Sequence, residues 1–315
     1  MLILSLLQVV LPVFLVIGAG YAATRSGLFA QSAVDGLMVF TQGFAIPCLL
    51  FKALIELDLG QVFDPGLLLS FYTGAVVSFV LGVLGARVIF GRRPGEAVAV
   101  GFGALFSNSV LLGLPIMERA YGAEAMAPNF AIVSIHAPFC YFVGITAMEI
   151  ARADGRGVAG TARAIGRAMF RNALMIALAV GFVVNLGGIA LPGVLLDAID
   201  MVARAALPAA LFGLGGVLTR YGLRASLAEA GMIAALSLLL HPAIAFLLAS
   251  QIFALPVDFV RAAVITAAMA PGVNVYVFAS IYGRGQAQAA SAVLIGTAAS
   301  VLTASMWLAI LGGSR

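Results

Sequence analysis

Two stretches of this sequence place an asparagine beside glycine and proline within an otherwise apolar run. The first spans 107–115 and contains Asn108, and the second spans 268–276 and contains Asn274. Proline removes a backbone donor and clashes with the preceding turn, while glycine tolerates unwinding, so both stretches predict an interrupted helix. The N–H groups that an interruption frees carry partial positive charge, and the two amides add further donors. Such a set of donors suits a carboxylate.

The residue types around the two interruptions therefore predict a binding site for a small organic anion. Either stretch alone is more simply explained as a proline kink, but two at equivalent places in a repeated sequence favour a site. The residues expected to contact the anion are Asn108, Ser109, Gly113 and Pro115 in the first stretch, Pro271, Gly272 and Asn274 in the second, and Gln42 in an earlier apolar run.

Three ionisable residues near these stretches are considered for a role in coupling or gating. Glu118 and Arg119 follow Pro115 by about one turn. They are expected either to form a gate or proton-coupling site or to lie at the membrane interface. His136 lies nearer the middle of its apolar run. It either couples transport to protons, since histidine titrates near neutrality, or is a packed, neutral residue bonded to a backbone carbonyl.

Enzymatic chemistry is not predicted. The sequence contains no pair of nucleophile and base, no cluster of metal ligands at useful spacing and no phosphate-binding loop, so no catalytic residue, metal or cofactor is expected. Cys48 and Cys140 lie in apolar runs and form no metal or redox motif. The net charge of +4 is not accompanied by a basic run with interleaved aromatics. Nucleic acid is therefore not an expected partner.

The elements that must position these residues are membrane-spanning helices. Hydrophobic residues make up 63% of the 315 residues and charged residues only 10%, and the mean hydropathy is +1.13. A soluble domain carries about a quarter charged residues, so this chain cannot cover its own surface in water. We therefore predict an all-α polytopic protein whose partner is the lipid bilayer, located in the inner membrane.

Ten apolar runs have about the length needed to cross a bilayer, which is roughly 20 residues. Short polar or Gly/Pro-rich connections separate them. The predicted spans are 2–23, 33–54, 67–90, 96–121, 127–150, 171–190, 196–218, 228–253, 259–282 and 287–311.

Basic residues orient the predicted bundle. Twelve of the 17 basic residues lie in the connections on one side, namely 24–32, 87–95, 151–171, 219–225 and 283–286. The positive-inside rule places that side in the cytoplasm and both termini outside, in the periplasm.

The two halves of the sequence are related by a constant offset. Pro47 and Pro208 lie in similar segments 161 residues apart, and the same offset relates Gly122 to Gly283. Each half holds five spans, an odd number, so the second half must enter the membrane from the opposite side. This is an inverted-topology repeat, typical of alternating-access carriers. The predicted parts are a first five-helix repeat at 1–150, a short cytoplasmic linker at 151–170 and a second repeat at 171–315.

The stretch Asn-Ser-Val-Leu-Leu-Gly-Leu-Pro at 108–115 resembles the fourth-helix motif of the auxin efflux carrier family, which includes plant PIN carriers and bacterial malonate or malate permeases. The stretches at 47–51 and 274–279 are similar to the second and ninth helices of that family. The likeness covers essentially the whole chain. It implies a fold like that of bile-acid symporters and NhaA-type antiporters, in which broken helices 4 and 9 cross at the substrate.

The resemblance also implies two functional parts. Spans 1, 2, 6 and 7 form a scaffold, and spans 3–5 and 8–10 form a transport domain with an elevator-like movement. Small residues at helix faces allow a homodimer through the scaffold. The sequence departs from the plant pattern because its central loop is short, Pro271 lies one residue later and Asn274 replaces an apolar residue. Organic anions of the bacterial members therefore fit better than auxin.

The predicted function is secondary transport of small mono- or dicarboxylates by alternating access. An anion sensor or a channel without alternating access is one alternative. A sodium- or proton-coupled symporter of another substrate is a second. No Asp-Asp pair occurs in the middle of a span, which argues against a sodium/proton antiporter.

Overall fold

The computed structural model describes residues 2–152, 173–221 and 227–312. These ranges are helical except for short connections and an isolated β-bridge, which confirms the all-α prediction. The first half contains α1 (Leu2–Arg25), α2 (Gln31–Phe40), α3 (Ile46–Glu56), α4 (Leu59–Val62), α5 (Pro65–Val88), α6 (Pro94–Leu105), α7 (Leu114–Tyr121) and α8 (Ala127–Arg152). The second half contains α9 (Ala173–Leu186), α10 (Gly193–Arg204), α11 (Ala206–Leu218), α12 (Leu227–Ala235), α13 (His241–Leu247), α14 (Val257–Ala267), α15 (Val273–Tyr282) and α16 (Gln286–Ile310).

Six helical segments of the described residues are long and apolar enough to cross a membrane, so the chain is a multi-pass membrane protein. They coincide with the second, third, fifth, seventh, eighth and tenth predicted spans. The segments are Gln31–Glu56, Pro65–Val88, Ala123–Ala151, Gly193–Leu218, Leu227–Ile252 and Gln286–Ile310.

The other four predicted spans take different forms. The first corresponds to α1, whose Val9–Arg25 portion is a shorter apolar helix, and the sixth corresponds to α9. The fourth and ninth each consist of two helical pieces, separated at 106–108 and at 268–272. The predicted linker at 151–170 falls outside the described residues from position 153 onward, as do the basic connection residues at 222–226.

Among the prolines that lie inside helical segments, three have the same local setting. Each is the second residue after a widened, π-helical turn. Proline lacks an N–H, and its ring collides with the carbonyl four residues earlier, so a wider turn lets the helix continue past the proline. The turns and their prolines are Thr41–Ala45 with Pro47, Ser109–Gly113 with Pro115, and Leu236–Leu240 with Pro242.

The described residues divide into two compact units, each assembled from separate parts of the sequence. Unit A comprises residues 13–62 and 173–220, and unit B comprises 2–12, 63–152, 221 and 227–312.

Unit A is held together by close helix approaches at glycine. A methyl group added to Gly20 would overlap the Phe212 carbonyl, and one added to Gly215 would overlap the Ile17 carbonyl. Such approaches need small residues, as is usual in membrane bundles. The side chain of Asn185 caps the C-terminal end of α3, because its Nδ2 donates to three carbonyls there at 2.8–3.2 Å.

Unit B contains both interrupted spans. Its helix α5 packs along α6 and α13, and α12 packs along α16. Buried side chains donate to backbone carbonyls of neighbouring helices: Tyr72 Oη to Ile132 O at 2.9 Å, and Trp307 Nε1 to Leu238 O at 2.9 Å. Polar side-chain donors within these apolar helices thus find acceptors inside the protein, as a low-dielectric setting requires.

Candidate functional site

The first interruption begins where α6 ends at Leu105. Phe106 leaves the helix with φ −93° and ψ 91°. Asn108, with φ −78° and ψ 58°, lies at the centre of an inverse γ-turn closed by the Ser109 N–H and the Ser107 carbonyl at 2.8 Å. The π-helical turn Ser109–Gly113 follows directly. The helical path is therefore lost over residues 106–108 only.

The position of this interruption differs from the one expected. Gly113 and Pro115 are the conspicuous helix breakers in the sequence, yet both lie on the continuous helical path that leads into α7. The N–H groups of Leu112 and Gly113 both donate to the Asn108 carbonyl at 3.1 Å. The widened turn accommodates Pro115, so the break occurs one turn earlier, at Asn108.

The second interruption follows the end of α14 at Ala267 and includes Pro271. Gly272 is extended, with φ −75° and ψ 163°, and precedes α15. Pro271 and Gly272 therefore lie within the interruption, whereas Asn274 lies in the first turn of α15.

The two interruptions pair with each other through their backbones. Asn108 N donates to Ala270 O at 2.8 Å, and Gly272 N donates to Phe106 O at 3.0 Å. Ser107 and Pro271 face each other between these two bonds as an antiparallel bridge. Residues that face each other in this kind of pair do not exchange hydrogen bonds. The missing N–H of Pro271 therefore costs the bridge no hydrogen bond. We call residues 106–108 and 270–272 the paired interruptions.

Other helices of unit B support the paired interruptions. His136 Nε2 lies 3.1 Å from the Ser107 carbonyl, and Ser237 Oγ donates to the Met269 carbonyl at 3.2 Å. His136 is only 2% exposed. It therefore has the geometry of a packed histidine bonded to a backbone carbonyl, which was one of its two predicted environments.

Two polar side-chain atoms at the paired interruptions are buried without a partner among the described residues. They are Ser107 Oγ and Asn108 Nδ2, on side chains that are 1% and 6% exposed. A buried polar group without a hydrogen bond costs about 1–3 kcal/mol, so such groups are rare unless something else binds them. Asn108 Nδ2 is a donor, and an anion is a suitable acceptor for it.

Asn274 contributes a second amide to the same region. It is half-buried, and its Oδ1 accepts from the Tyr141 hydroxyl at 3.4 Å. Because Oδ1 is the acceptor in that contact, Nδ2 is left as the donor. Asn274 lies in the first turn of α15, where backbone N–H groups have no acceptor four residues earlier within the helix.

The remaining predicted residues lie in different settings. Ser109 is buried in the π-helical turn. Glu118 and Arg119 are exposed on α7, and Arg119 Nε donates to the Val9 carbonyl at 3.0 Å. Gln42 belongs to unit A, where its side chain is exposed, and is not part of the unit that holds the paired interruptions.

Sequence reasoning missed several residues of this region. Ser237, Tyr141 and the hydrogen-bonded pair Asn129–Thr266 (2.7 Å) were not proposed. Each is an isolated polar residue in an apolar run. An isolated polar residue in an apolar run indicates a buried polar contact. It does not indicate which distant group the side chain contacts.

A family model and two relatives that are described as transporters match this chain. A family model described as "Membrane transport protein" matches residues 5–308. The chain is 29% identical over 296 residues to a "Putative malonate transporter" of Rhizobium meliloti (strain 1021), covering 93% of this chain and 92% of the relative. It is 25% identical over 244 residues to an "Uncharacterized transporter" of Methanothermobacter thermautotrophicus, covering 76% of each. It is 34% identical over 121 residues to the "Lysosomal cholesterol signaling protein" of Mus musculus, covering 38% of this chain and 14% of the relative.

Proposed function

Since this chain belongs to the membrane transport protein family, which is the auxin efflux carrier family, we propose that it is a secondary carrier for small organic anions. The family and the first two relatives are described as transporters rather than enzymes. The proposed carrier binds a carboxylate at the paired interruptions and exposes it to the two sides of the membrane in turn.

The observation that carries this proposal is the side-chain donor of Asn108, which has no partner among the described residues. Its Nδ2 is buried beside backbone that has left the helical path. The N-terminal end of α15 and the amide of Asn274 lie in the same unit and favour negative charge. A carboxylate bound to these groups would satisfy a donor that is otherwise costly to bury.

Malonate is the first substrate to test. The relative from Rhizobium meliloti is named as a malonate transporter and matches 93% of this chain. Malonate carries two carboxylates, and this site offers two amides, Asn108 and Asn274, that can each donate to one of them. Malate and other small carboxylates belong to the same chemical class.

The division into two units supports an elevator-type movement. Unit A contains spans 2, 6 and 7 and the 13–23 part of span 1, which the family resemblance assigns to the scaffold, and unit B contains the spans assigned to the transport domain together with residues 2–12. Unit B also holds the paired interruptions, so movement of that unit would carry the substrate with it. We further propose that the protein lies in the bacterial inner membrane with both termini in the periplasm, on the basis of its basic connections.

The proposed function is tested by uptake of radiolabelled malonate, malate and indole acetate into proteoliposomes. Uptake is measured with and without imposed proton and sodium gradients. Saturable uptake of one acid that its analogues compete with, together with counterflow, is the expected result. Absence of flux for all acids, measured on correctly folded protein, would contradict transport.

A membrane sensor is the second candidate function. Over 121 residues the chain is similar to a protein named for signaling. A sensor would bind the anion without moving it. Tight binding of malonate by the purified protein, with no uptake into proteoliposomes, would favour this function over transport.

A further inference from the structure

We infer that His136 is a positioning residue, whose Nε2–H holds the Ser107 carbonyl and thereby fixes the turn that presents Asn108. This inference rests on the proposed function, because it assigns His136 a role in anion binding at the paired interruptions. It also distinguishes two roles that the sequence leaves open, a donor to backbone and a carrier of protons.

The Ser107 carbonyl accepts two hydrogen bonds. The Ser109 N–H donates from 2.8 Å within the γ-turn, and His136 Nε2 lies at 3.1 Å. A carbonyl oxygen has two lone pairs, and both are used here. Because the carbonyl can only accept, Nε2 must carry the proton, which sets the tautomer of the ring. A neutral imidazole already supplies this donor.

Asn108 lies at the centre of the turn that these bonds hold. Its own N–H donates to Ala270 O at 2.8 Å. The backbone of Asn108 is therefore anchored on one side by α14–α15 backbone and on the other by the His136 ring on α8. Since the backbone direction sets where the side chain points, His136 controls the placement of the Asn108 amide. Without the bond from α8, the Ser107 carbonyl would keep only the γ-turn contact from the Ser109 N–H.

Packing fixes the imidazole in the orientation that this bond needs. The ring meets Phe71 and Phe106 edge-on, with centroids 5.4 Å and 4.8 Å away. The titratable groups on the surrounding elements are Tyr72 of α5, Cys140 one turn along α8, and His241 of α13, which packs against the same Phe71 ring. A second proton on His136 would place a charge in this apolar setting, at a high desolvation cost.

The test compares two substitutions at His136 with the same two at His241. His136→Gln keeps an N–H donor, and His136→Leu removes it. His241 is a matched control, because it is also buried and its Nε2 also lies 3.0 Å from a backbone carbonyl, that of Phe71, away from the interruptions. Each variant is reconstituted, and malonate uptake is measured per amount of folded carrier over a range of concentrations.

The expected result is a change in KM that only loss of the donor produces. His136→Leu is expected to raise KM about tenfold, the effect of a lost hydrogen bond and a misplaced donor. His136→Gln is expected to retain a KM close to that of the unmodified protein, with its dependence on an imposed proton gradient unchanged. The His241 variants are expected to lower the yield of folded protein without changing the KM of the remainder.

A second measurement does not depend on the substrate. Hydrogen–deuterium exchange of the peptide covering 105–112 is followed in the absence of any anion. His136→Leu is expected to speed exchange in this peptide, because the γ-turn loses its support from α8, whereas His241→Leu is expected to leave it unchanged. This measurement decides the positioning role even if malonate is not transported, in which case the proposed function fails separately.

Two outcomes would overturn the inference. One is a His136→Leu protein with unchanged KM and unchanged exchange at 105–112. The other is a His136→Gln protein as impaired as His136→Leu, with proton-gradient dependence lost in both, since that pattern identifies His136 as a proton carrier rather than a positioning donor.

Discussion

Gly296 of α16 packs directly on the ring of Pro271. A methyl group added to Gly296 would lie 2.6 Å from Pro271 Cδ and 3.7 Å from the Ala270 side chain. Side chains do not tolerate the first of these distances. Because Pro271 faces Ser107 in the paired interruptions, the surface of α16 forms a wall behind the site.

The first prediction concerns this wall. Gly296→Ala is expected to reduce malonate uptake at least about tenfold, because overpacking costs about 1–3 kcal/mol and the strain falls on the paired interruptions. Gly231→Ala is the matched control: Gly231 lies within α12, where an added methyl group has no neighbour within 4 Å. Uptake per folded carrier should be unchanged in the control. Equal uptake by both variants would mean that α16 does not constrain the site.

The second prediction concerns Asn108. Asn108→Ala is expected to abolish saturable uptake at substrate concentrations near the original KM, because a hydrogen bond to a charged group contributes about 1.5–3 kcal/mol. Asn108→Asp is expected to be at least as impaired, since it places an acceptor and a negative charge where a carboxylate should bind. Asn185→Ala, in unit A, removes a helix cap instead. It should lower thermal stability and leave KM unchanged. Normal transport by the Asn108→Ala protein would remove the paired interruptions from the proposed mechanism.

The third prediction concerns an ion pair at one end of unit B. Arg92 Nε and Nη2 bond both carboxylate oxygens of Glu229 at 3.0 and 2.7 Å. Glu229 is fully buried, whereas the Arg92 side chain is 31% exposed. The bond to Glu229 raises the pKa of Arg92.

The asymmetric burial of this pair determines which substitution is worse. Arg92→Gln strands a buried carboxylate and is expected to cost about 3–5 kcal/mol, whereas Glu229→Gln leaves a guanidinium that reaches water and should cost less. The double variant should recover part of the loss. The thermal stability of the three variants is measured in detergent, with size-exclusion chromatography as the readout of folded protein. This order would be contradicted if the Arg92→Gln protein were more stable than the Glu229→Gln protein.

Much of the fold is predictable from the sequence because a bilayer demands long apolar runs. Six predicted spans agree with described helices to within a few residues, except that the fifth begins at Ala123 rather than at 127. Glycine and proline at 107–115 and 268–276 also indicated which two predicted spans are interrupted. These features depend on local composition, which a single sequence displays directly.

The details of the site were harder to predict because they depend on contacts between distant segments. Pro115 is an obvious helix breaker, yet a π-helical turn lets the chain pass it, and the break occurs at Asn108. The partners that hold the interruption, His136 and Ser237, come from helices far along the chain. The residues next to them in the sequence do not indicate which carbonyl each side chain contacts.

The fourth prediction follows from a carbonyl that a proline leaves without its usual partner. Pro242 has no N–H, so the carbonyl four residues earlier, that of Leu238, cannot form its normal helical bond. The indole N–H of Trp307 donates to that carbonyl instead, at 2.9 Å. Trp307→Phe keeps an aromatic ring but strands the buried carbonyl, and is expected to cost about 1–3 kcal/mol of stability.

A second substitution tests this explanation directly. Pro242→Ala returns an N–H to the helix, which can then satisfy the Leu238 carbonyl without the indole. Trp307→Phe should therefore cost less stability in a Pro242→Ala background than in the unmodified protein, and the difference is the interaction energy of a double-mutant cycle. Thermal denaturation of the four proteins in the same detergent provides the measurement. Strictly additive losses would mean that the contribution of Trp307 to stability does not depend on the donor that Pro242 lacks.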